Sequence, residues 1–181
     1  DGMRRRSAEQ EDVFYYLSVM NENYAHPAMP KGAEPGILKG MYLLQAGGKG
    51  KGRVNLMASG TILREVIKAA EILEKDYGVP ADVFSAPSFS ELRREALDIE
   101  RRNMLHPDAP QAVPYVRQCL GERTGPFIAA TDYMRIVPDQ IRQWVPGRFV
   151  VLGTDGYGRS DSRAELRRHC EVDAPHIVVA S

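Results

Sequence analysis

The segment VLGTDGYGRSDSR, Val151 to Arg163, holds the residues best spaced for chemistry. Gly153, Gly156 and Gly158 follow an apolar run and precede a helical pattern. Glycines at a strand-to-helix junction let backbone amides approach a phosphate. The order here is G-x-x-G-x-G, whereas the dinucleotide fingerprint reads G-x-G-x-x-G after the first strand of its unit. No G-K-[ST] follows, which excludes a Walker loop. Asp155 and Asp161 add negative charge, and Glu165 is placed to take the helix N-terminal donors itself. Arg159 and Arg163 offset this only in part. The segment therefore reads as a tight strand-to-helix turn. Its crest residues Asp155, Tyr157 and Arg159 are candidates for contact with another protein surface.

The remaining reactive side chains do not assemble into a motif. His26, His106, His169 and His176 are scattered, with no HExxH and no short-spaced pair. His169 and Cys170 are adjacent, so on a helix they point about 100° apart and would share one ion poorly. Cys119 and Cys170 form no CxxC, and no G-x-S-x-G elbow is present. Catalytic, cofactor-binding and metal-binding residues are accordingly not assigned. In RREALDIERRNMLHP, Glu95, Asp98 and Glu100 interleave with Arg93, Arg94, Arg101 and Arg102, as on a solvated helix face. Apolar Met104 and Leu105 beside the helix-ending Pro107 stand out and join the interface candidates. NENYAHPAMP, Asn21 to Pro30, reads either as a strand end reaching a ligand crevice or as an extended strap between domains.

Composition narrows the classes. The 181 residues carry 24 Lys plus Arg and 24 Asp plus Glu, so no basic excess points to nucleic acid. No apolar run reaches the roughly 20 residues of a membrane helix, and DGMRRRSAEQED lacks the core of a signal peptide. Two cysteines make no disulfide framework, which predicts a reducing, cytoplasmic setting. With 43% hydrophobic residues the chain can bury a core. The polar opening and the stop at PHIVVAS predict a piece of a longer polypeptide.

The elements that must position these residues alternate in type. VNLMAS, ADVFSA, PFIAAT, RFVVLG and HIVVA read as five near-continuous apolar strands. Ile62 to Tyr77 is a predicted helix, stopped by Gly78 and Pro80. Ser88 with Glu91 and Ser162 with Glu165 form capping boxes that open two more helices. Pro138 suits the first turn of a short helix carrying Ile141, Trp144 and Val145. The alternation predicts an α/β fold, a three-layer α/β/α sandwich with a mostly parallel sheet of about five strands. Ahead of it, DVFYYLSVMNENY begins as a strand, AHPAMPKGAEPG as an extended connector, and AGGKGKG (Ala46 to Gly52) as a hairpin tip or surface loop. Residues 1–45 are thus read as the end of a preceding unit and residues 46–181 as the main α/β domain.

Several runs together resemble one family. DVFYYLSVMNENYAHPAMPKGAEPGILKGMYLL, AAEILEKDYGVPADVFSAPSFSELRRE, ERRNMLHP, VPYV, ATDYMR and VLGTDGYGRSDSRAELRRHCEVDA are similar to the C-terminal part of the bacterial homodimeric pyruvate dehydrogenases, which are transketolase-like enzymes. The resemblance implies a transketolase C-terminal-domain-like fold. It also implies a parent enzyme that uses thiamine diphosphate and Mg2+, decarboxylates pyruvate, and passes the acetyl group to lipoyl groups of dihydrolipoyl acetyltransferase. It implies that residues 1–45 close the pyrimidine-binding domain. The family's cofactor signature, GDG followed by NN, does not occur in this sequence, so no cofactor or catalytic residue carries over. The implied partners are the rest of the same chain and a second subunit. A stand-alone nucleotide-binding domain and a protein-interaction module remain the alternatives.

Overall fold

The structure, a computed structural model, describes residues 1–17, 19, 22–50 and 52–181. They form two compact units, residues 1–31 and residues 32–181.

The first unit is short. A π-helical turn, Arg4–Ala8, is held by ion pairs of Arg4 with Asp1 and Glu9 and of Arg5 with Glu11. The Arg5 guanidinium keeps the Glu11 carboxyl below its ordinary range. The expected strand in DVFYYLSVMNENY does not form: residues 13–17 and 19 lie in no strand, and Phe14, Tyr16, Leu17 and Val19 are exposed. A β-strand needs a paired neighbour, and the described residues of this unit supply none. Ser18, Met20 and Asn21 of that segment lie outside the described residues.

The second unit opens with α1 (Glu34–Leu38) and β1 (Tyr42–Gln45), followed by β2 (Val54–Ala58), α2 (Leu63–Tyr77) and β3 (Ala81–Ser85). Then come α3 (Phe89–Leu105), α4 (Tyr115–Leu120), β4 (Phe127–Ala130), α5 (Ile136–Asp139), β5 (Phe149–Leu152), α6 (Arg163–His169) and α7 (Ala174–Ala180). The sheet order is β1-β3-β2-β4-β5. β3, β2, β4 and β5 run parallel, and β1 joins the β3 edge antiparallel with an irregularity between Leu43 and Gln45. The α/β/α layering follows from burial: every residue of β2, β3 and β4 is buried, so helices must cover both faces. On one face Met57, Phe84, Phe127 and Phe149 pack with Leu92, Ala96, Val116, Leu120 and Trp144. On the other, Leu56, Val83 and Ile128 pack with Val66, Ala70, Leu73 and Ile177.

The local signals act as physics requires. Gly78 ends α2 at φ 66°, a left-handed value that favours glycine, and its amide bonds back to Glu74. Ser88 and Ser162 accept hydrogen bonds from the Glu91 and Glu165 amides, at 3.1 and 3.4 Å. Pro138 sits in the four-residue α5, which ends at Asp139 and so does not carry Ile141, Trp144 and Val145 as expected; these follow it, on and beside a 3-10 turn at Arg142–Trp144, and are buried.

One expected strand is a helix. HIVVA lies within α7, not in the sheet. Asp173 accepts from the His176 amide at 3.2 Å, and Pro175 occupies the first turn, which together start a helix. Ala174 and Ile177, three residues apart, turn inward against α2, whose Glu65 accepts from the Ala174 amide and from Arg167. The fifth strand is instead β1, from a stretch the sequence reading grouped with the connector. AGGKGKG links β1 to β2, which are not neighbours, so it is a surface loop and not a hairpin tip. Lys51 within it lies outside the described residues.

The amino ends of the strands carry a buried charge. Asp82 is 2% exposed at its side chain and pairs with Arg53 at 2.5 Å and Arg123 at 2.8 Å. Its Oδ1 also accepts from the Gly47 amide at 2.8 Å, which fastens the glycine-lysine loop to the sheet. Asn55, beside Asp82 in register, donates to the Thr124 carbonyl at 2.9 Å.

Candidate functional site

In open α/β sheets, ligands bind at the carboxyl ends of the strands, where successive crossovers diverge. Here that point lies between β2 and β4, since β3 follows β2 to one side and β4 lies on the other. The loops that meet there are Ser59–Ile62, Thr131–Arg135 and Gly153–Ser162. Their own side chains close the crevice. Ser59 and Thr131 share a hydroxyl hydrogen bond of 3.2 Å, and Thr61 donates to Asp132 at 3.4 Å. Asp132 thereby sets a carboxylate before the start of α2, the position an anionic ligand would need.

The loops after β4 and β5 are laced together. The Thr154 amide donates to the Tyr133 carbonyl at 2.9 Å, and the Thr154 hydroxyl to the Asp132 carbonyl at 2.8 Å. Asp155 accepts from the Arg135 amide at 2.9 Å and from Arg135 Nε at 2.6 Å. These two bonds hold the Asp155 carboxyl below its ordinary range. At Gly153 a Cβ would meet the Tyr133 carbonyl oxygen at 2.8 Å, so the close approach requires glycine. Gly156, at φ 95°, turns the chain at the tip. Beyond it Tyr157 is 101% exposed, the most solvated large hydrophobic side chain among the described residues. Arg159 is exposed too.

The sequence candidates thus fall in two places. Asp155, Tyr157 and Arg159 share the β5–α6 loop, with Asp155 at its pinned base and Tyr157 at its tip. Met104 and Leu105 lie at the far end of α3, which starts beside the carboxyl end of β3 and runs away from it. Both are exposed, at 69% and 54%. The sequence reading missed Tyr133 and Met134 on the β4–α5 loop and Ile136 at the start of α5, all exposed beside Arg135. The apolar residues in ATDYMRIVPD gave a signal, but nothing local said which would face outward.

A small cleft of about 200 Å3 lies beside the pinned loop, lined by Arg135, Leu152, Gly153, Asp155, His169, Cys170 and Glu171. His169 and Cys170 meet no further ligand there: among the described residues no group of three His, Cys, Asp or Glu is placed to hold a metal ion. At the start of α6 the Ser162 amide donates to Asp161 at 2.6 Å and the Glu165 amide to Ser162. Two of the amides at this helix start are thus engaged within the loop. What this edge offers is a shaped, partly apolar and charged protein surface.

The Transketolase-like TK C-terminal domain pattern matches residues 40–173. The chain belongs to that family. Residues 1–27 match the pyruvate dehydrogenase E1 component middle domain. The chain is 57% identical to the pyruvate dehydrogenase E1 component of Pseudomonas aeruginosa over its full length, covering 21% of that protein. It is 54% identical to the pyruvate dehydrogenase E1 component of Escherichia coli K12, covering 100% of the chain and 20% of the relative. The chain thus spans about a fifth of the length of these relatives. Transketolase from Campylobacter jejuni shares the fold, with a TM-score of 0.53 at 20% identity over 78% of this chain and 18% of that one. The resemblance read from the sequence runs is therefore confirmed at the level of the family and its pyruvate dehydrogenase E1 relatives.

Proposed function

We propose that this chain is the C-terminal α/β domain, with the end of the preceding domain, of a cytoplasmic homodimeric pyruvate dehydrogenase. That parent enzyme decarboxylates pyruvate with thiamine diphosphate and Mg2+ and hands the acetyl group to lipoyl groups of dihydrolipoyl acetyltransferase. The observation that carries the reading is identity of 54 to 57% along the whole chain to pyruvate dehydrogenase E1 components. The residues present do not fit the cofactor: GDG and NN are missing from the sequence, and the crevice at β2 and β4 is closed by Asp132. This domain's part is mechanical. Residues 1–31 complete the preceding domain, and residues 32–181 pack against the rest of the polypeptide and a second subunit. The loop bearing Asp155, Tyr157 and Arg159 is one such contact, and the end of α3 bearing Met104 and Leu105 is another.

Calorimetric titration of the 181-residue chain with thiamine diphosphate and Mg2+ tests the division of labour. No heat of binding is expected, and micromolar affinity would overturn it. In the full-length protein, Tyr157→Ala is expected to weaken subunit or interdomain packing, seen as a lower melting temperature and reduced pyruvate decarboxylation. Unchanged stability and activity would remove the loop from the interface.

A further inference from the structure

The chain enters the α/β unit at the carboxyl edge of its sheet. Ala33 and Gly36 are buried there, and a Cβ at Gly36 would meet the Met41 carbonyl oxygen at 2.8 Å. The Tyr115 hydroxyl donates to that same carbonyl at 2.9 Å. The Ser88 amide donates to the Gly40 carbonyl at 3.3 Å, and Tyr42 pairs with Ser85, the last residue of β3. These contacts fix the entry point beside the carboxyl end of β3. β2, β4 and β5 run parallel to β3, so their carboxyl ends share that edge. At about 4.8 Å per strand, β4 ends about 10 Å from β3 along the edge, and β5 about 14 Å. Just past those two ends stand Tyr133, Met134, Ile136 and Tyr157, all exposed. A crest of apolar side chains therefore lies on the edge by which the chain arrives.

We propose that the crest of Tyr133, Met134, Ile136 and Tyr157 is covered by the preceding domain of the same polypeptide, through the part of it upstream of residue 1, and not by a second subunit. The proposal rests on the reading above and names the partner that this loop meets. Its ground is the length of the connector. Residues 1–27 match the pyruvate dehydrogenase E1 component middle domain, and the α/β unit opens at Gly32. Fully extended, the chain from residue 27 to Gly32 spans at most about 17 Å. The chain covers 21% and 20% of its relatives, so most of such a parent lies outside it. A small domain is about 30 Å across, wide enough on that tether to cover the edge from β3 to β5. A tethered partner also acts at an effective concentration in the millimolar range, which a separate subunit does not match. The Arg135–Asp155 tie holds the crest in place before contact, which lowers the entropy lost on packing. The tether does not favour the Met104–Leu105 end of α3, which lies about 25 Å down that helix from the same edge.

The test uses the full-length protein with the photo-cross-linker benzoylphenylalanine in place of Tyr157. Irradiation should give a linked product of single-chain mass, whose partner peptide maps upstream of residue 1. The same probe in place of Tyr77, an exposed aromatic at the end of α2 on the opposite edge of the sheet, should give no such peptide. Tyr157→Ala should lower the melting temperature while the dimer dissociation constant, read by sedimentation, stays within about twofold of wild type. A linked product of two-chain mass, or a dissociation constant raised beyond that, assigns the crest to the second subunit and overturns the proposal. No link from position 157, a link confined to residues 1–181, or an equally strong upstream link from position 77 overturns it as well. These outcomes leave the pyruvate dehydrogenase reading intact. That reading fails separately, if the full-length protein does not decarboxylate pyruvate.

Discussion

Removing the Asp82 carboxylate should be among the most costly single changes in this domain. Asp82 is buried, and its two oxygens accept from Arg53 at 2.5 Å, Arg123 at 2.8 Å and the Gly47 amide at 2.8 Å. Asp82→Ala strands three donors. A hydrogen bond to a charged group contributes about 1.5 to 3 kcal/mol, and breaking a buried pair costs about 3 to 5 kcal/mol. The two arginines are 30% and 28% exposed and can turn partly to water, so the lower end applies, about 3 kcal/mol. For a chain of this size that corresponds to a melting temperature lowered by about 6 to 12 °C. Asp82→Asn keeps the shape but points an NH2 at a guanidinium, and should cost about 2 kcal/mol. Arg53→Met and Arg123→Met should each cost less, about 1 kcal/mol, because the carboxylate keeps its other donors. Arg123 also lies 4.8 Å over the Phe84 ring, so it is the more costly of the two. Urea unfolding followed by the fluorescence of the single tryptophan, Trp144, measures the series. The reasoning fails if Asp82→Asn stays within about 0.5 kcal/mol of wild type, or if either arginine variant is more destabilised than Asp82→Ala.

Three further outcomes are expected. Gly125 sits at φ 86°, and a Cβ there would fall 1.8 Å from the Arg53 carbonyl oxygen, so Gly125→Ala should destabilise by about 3 kcal/mol or more and lower the urea midpoint accordingly. Asp173→Ala removes the cap of α7 and should cost about 1 kcal/mol, with exchange protection lost first at the His176 amide, which donates to the Asp173 carboxylate. Asp155 has its carboxyl held below the usual 3.8 by Arg135, so its contribution is present above that pH and is lost as pH falls through the lowered value. Protection of the Arg135 amide, which donates to Asp155, should therefore be flat from pH 7 to about 5 and decline below about pH 4. Protection that declined already near pH 6 would implicate another group.

The layering was legible because it rests on repeated, redundant signals. Four apolar runs, each bounded by turn residues, become β2, β3, β4 and β5, and Gly78, Ser88 and Ser162 end or open helices where their chemistry predicts. The misread elements lack that redundancy. HIVVA is too short to show a helical period, so the N-cap at Asp173 and Pro175 decided it, and its burial against α2 is a tertiary fact. β1 has only four residues, half of them exposed, and exists because β3 offers an open edge. At the candidate site, Gly156 and Tyr157 were legible as a loop tip. The Arg135–Asp155 tie was not, because it joins residues 20 positions apart through the sheet.

The closed crevice and the exposed loop crest have one physical origin. A doubly wound sheet gathers its loop ends where crossovers diverge, and such a place usually takes a ligand. In this domain Ser59, Thr131, Thr61 and Asp132 satisfy one another across β2 and β4. Polar groups paired internally have little to gain from a ligand and would lose those bonds to admit one. The adjacent loops spend their bonding differently. Thr154 and Asp155 tie the β5 loop to the β4 loop at its base, which leaves Tyr133, Met134, Ile136 and Tyr157 held outward on a braced frame. Ordering apolar side chains before they meet a partner lowers the entropy lost on contact. If bracing matters more than the side chains themselves, Asp155→Ala should weaken packing of the full-length protein about as much as Tyr157→Ala does, although Asp155 is at the loop's base. Sedimentation and melting of both variants decide it. Loss in Tyr157→Ala with none in Asp155→Ala would show that the loop needs no brace.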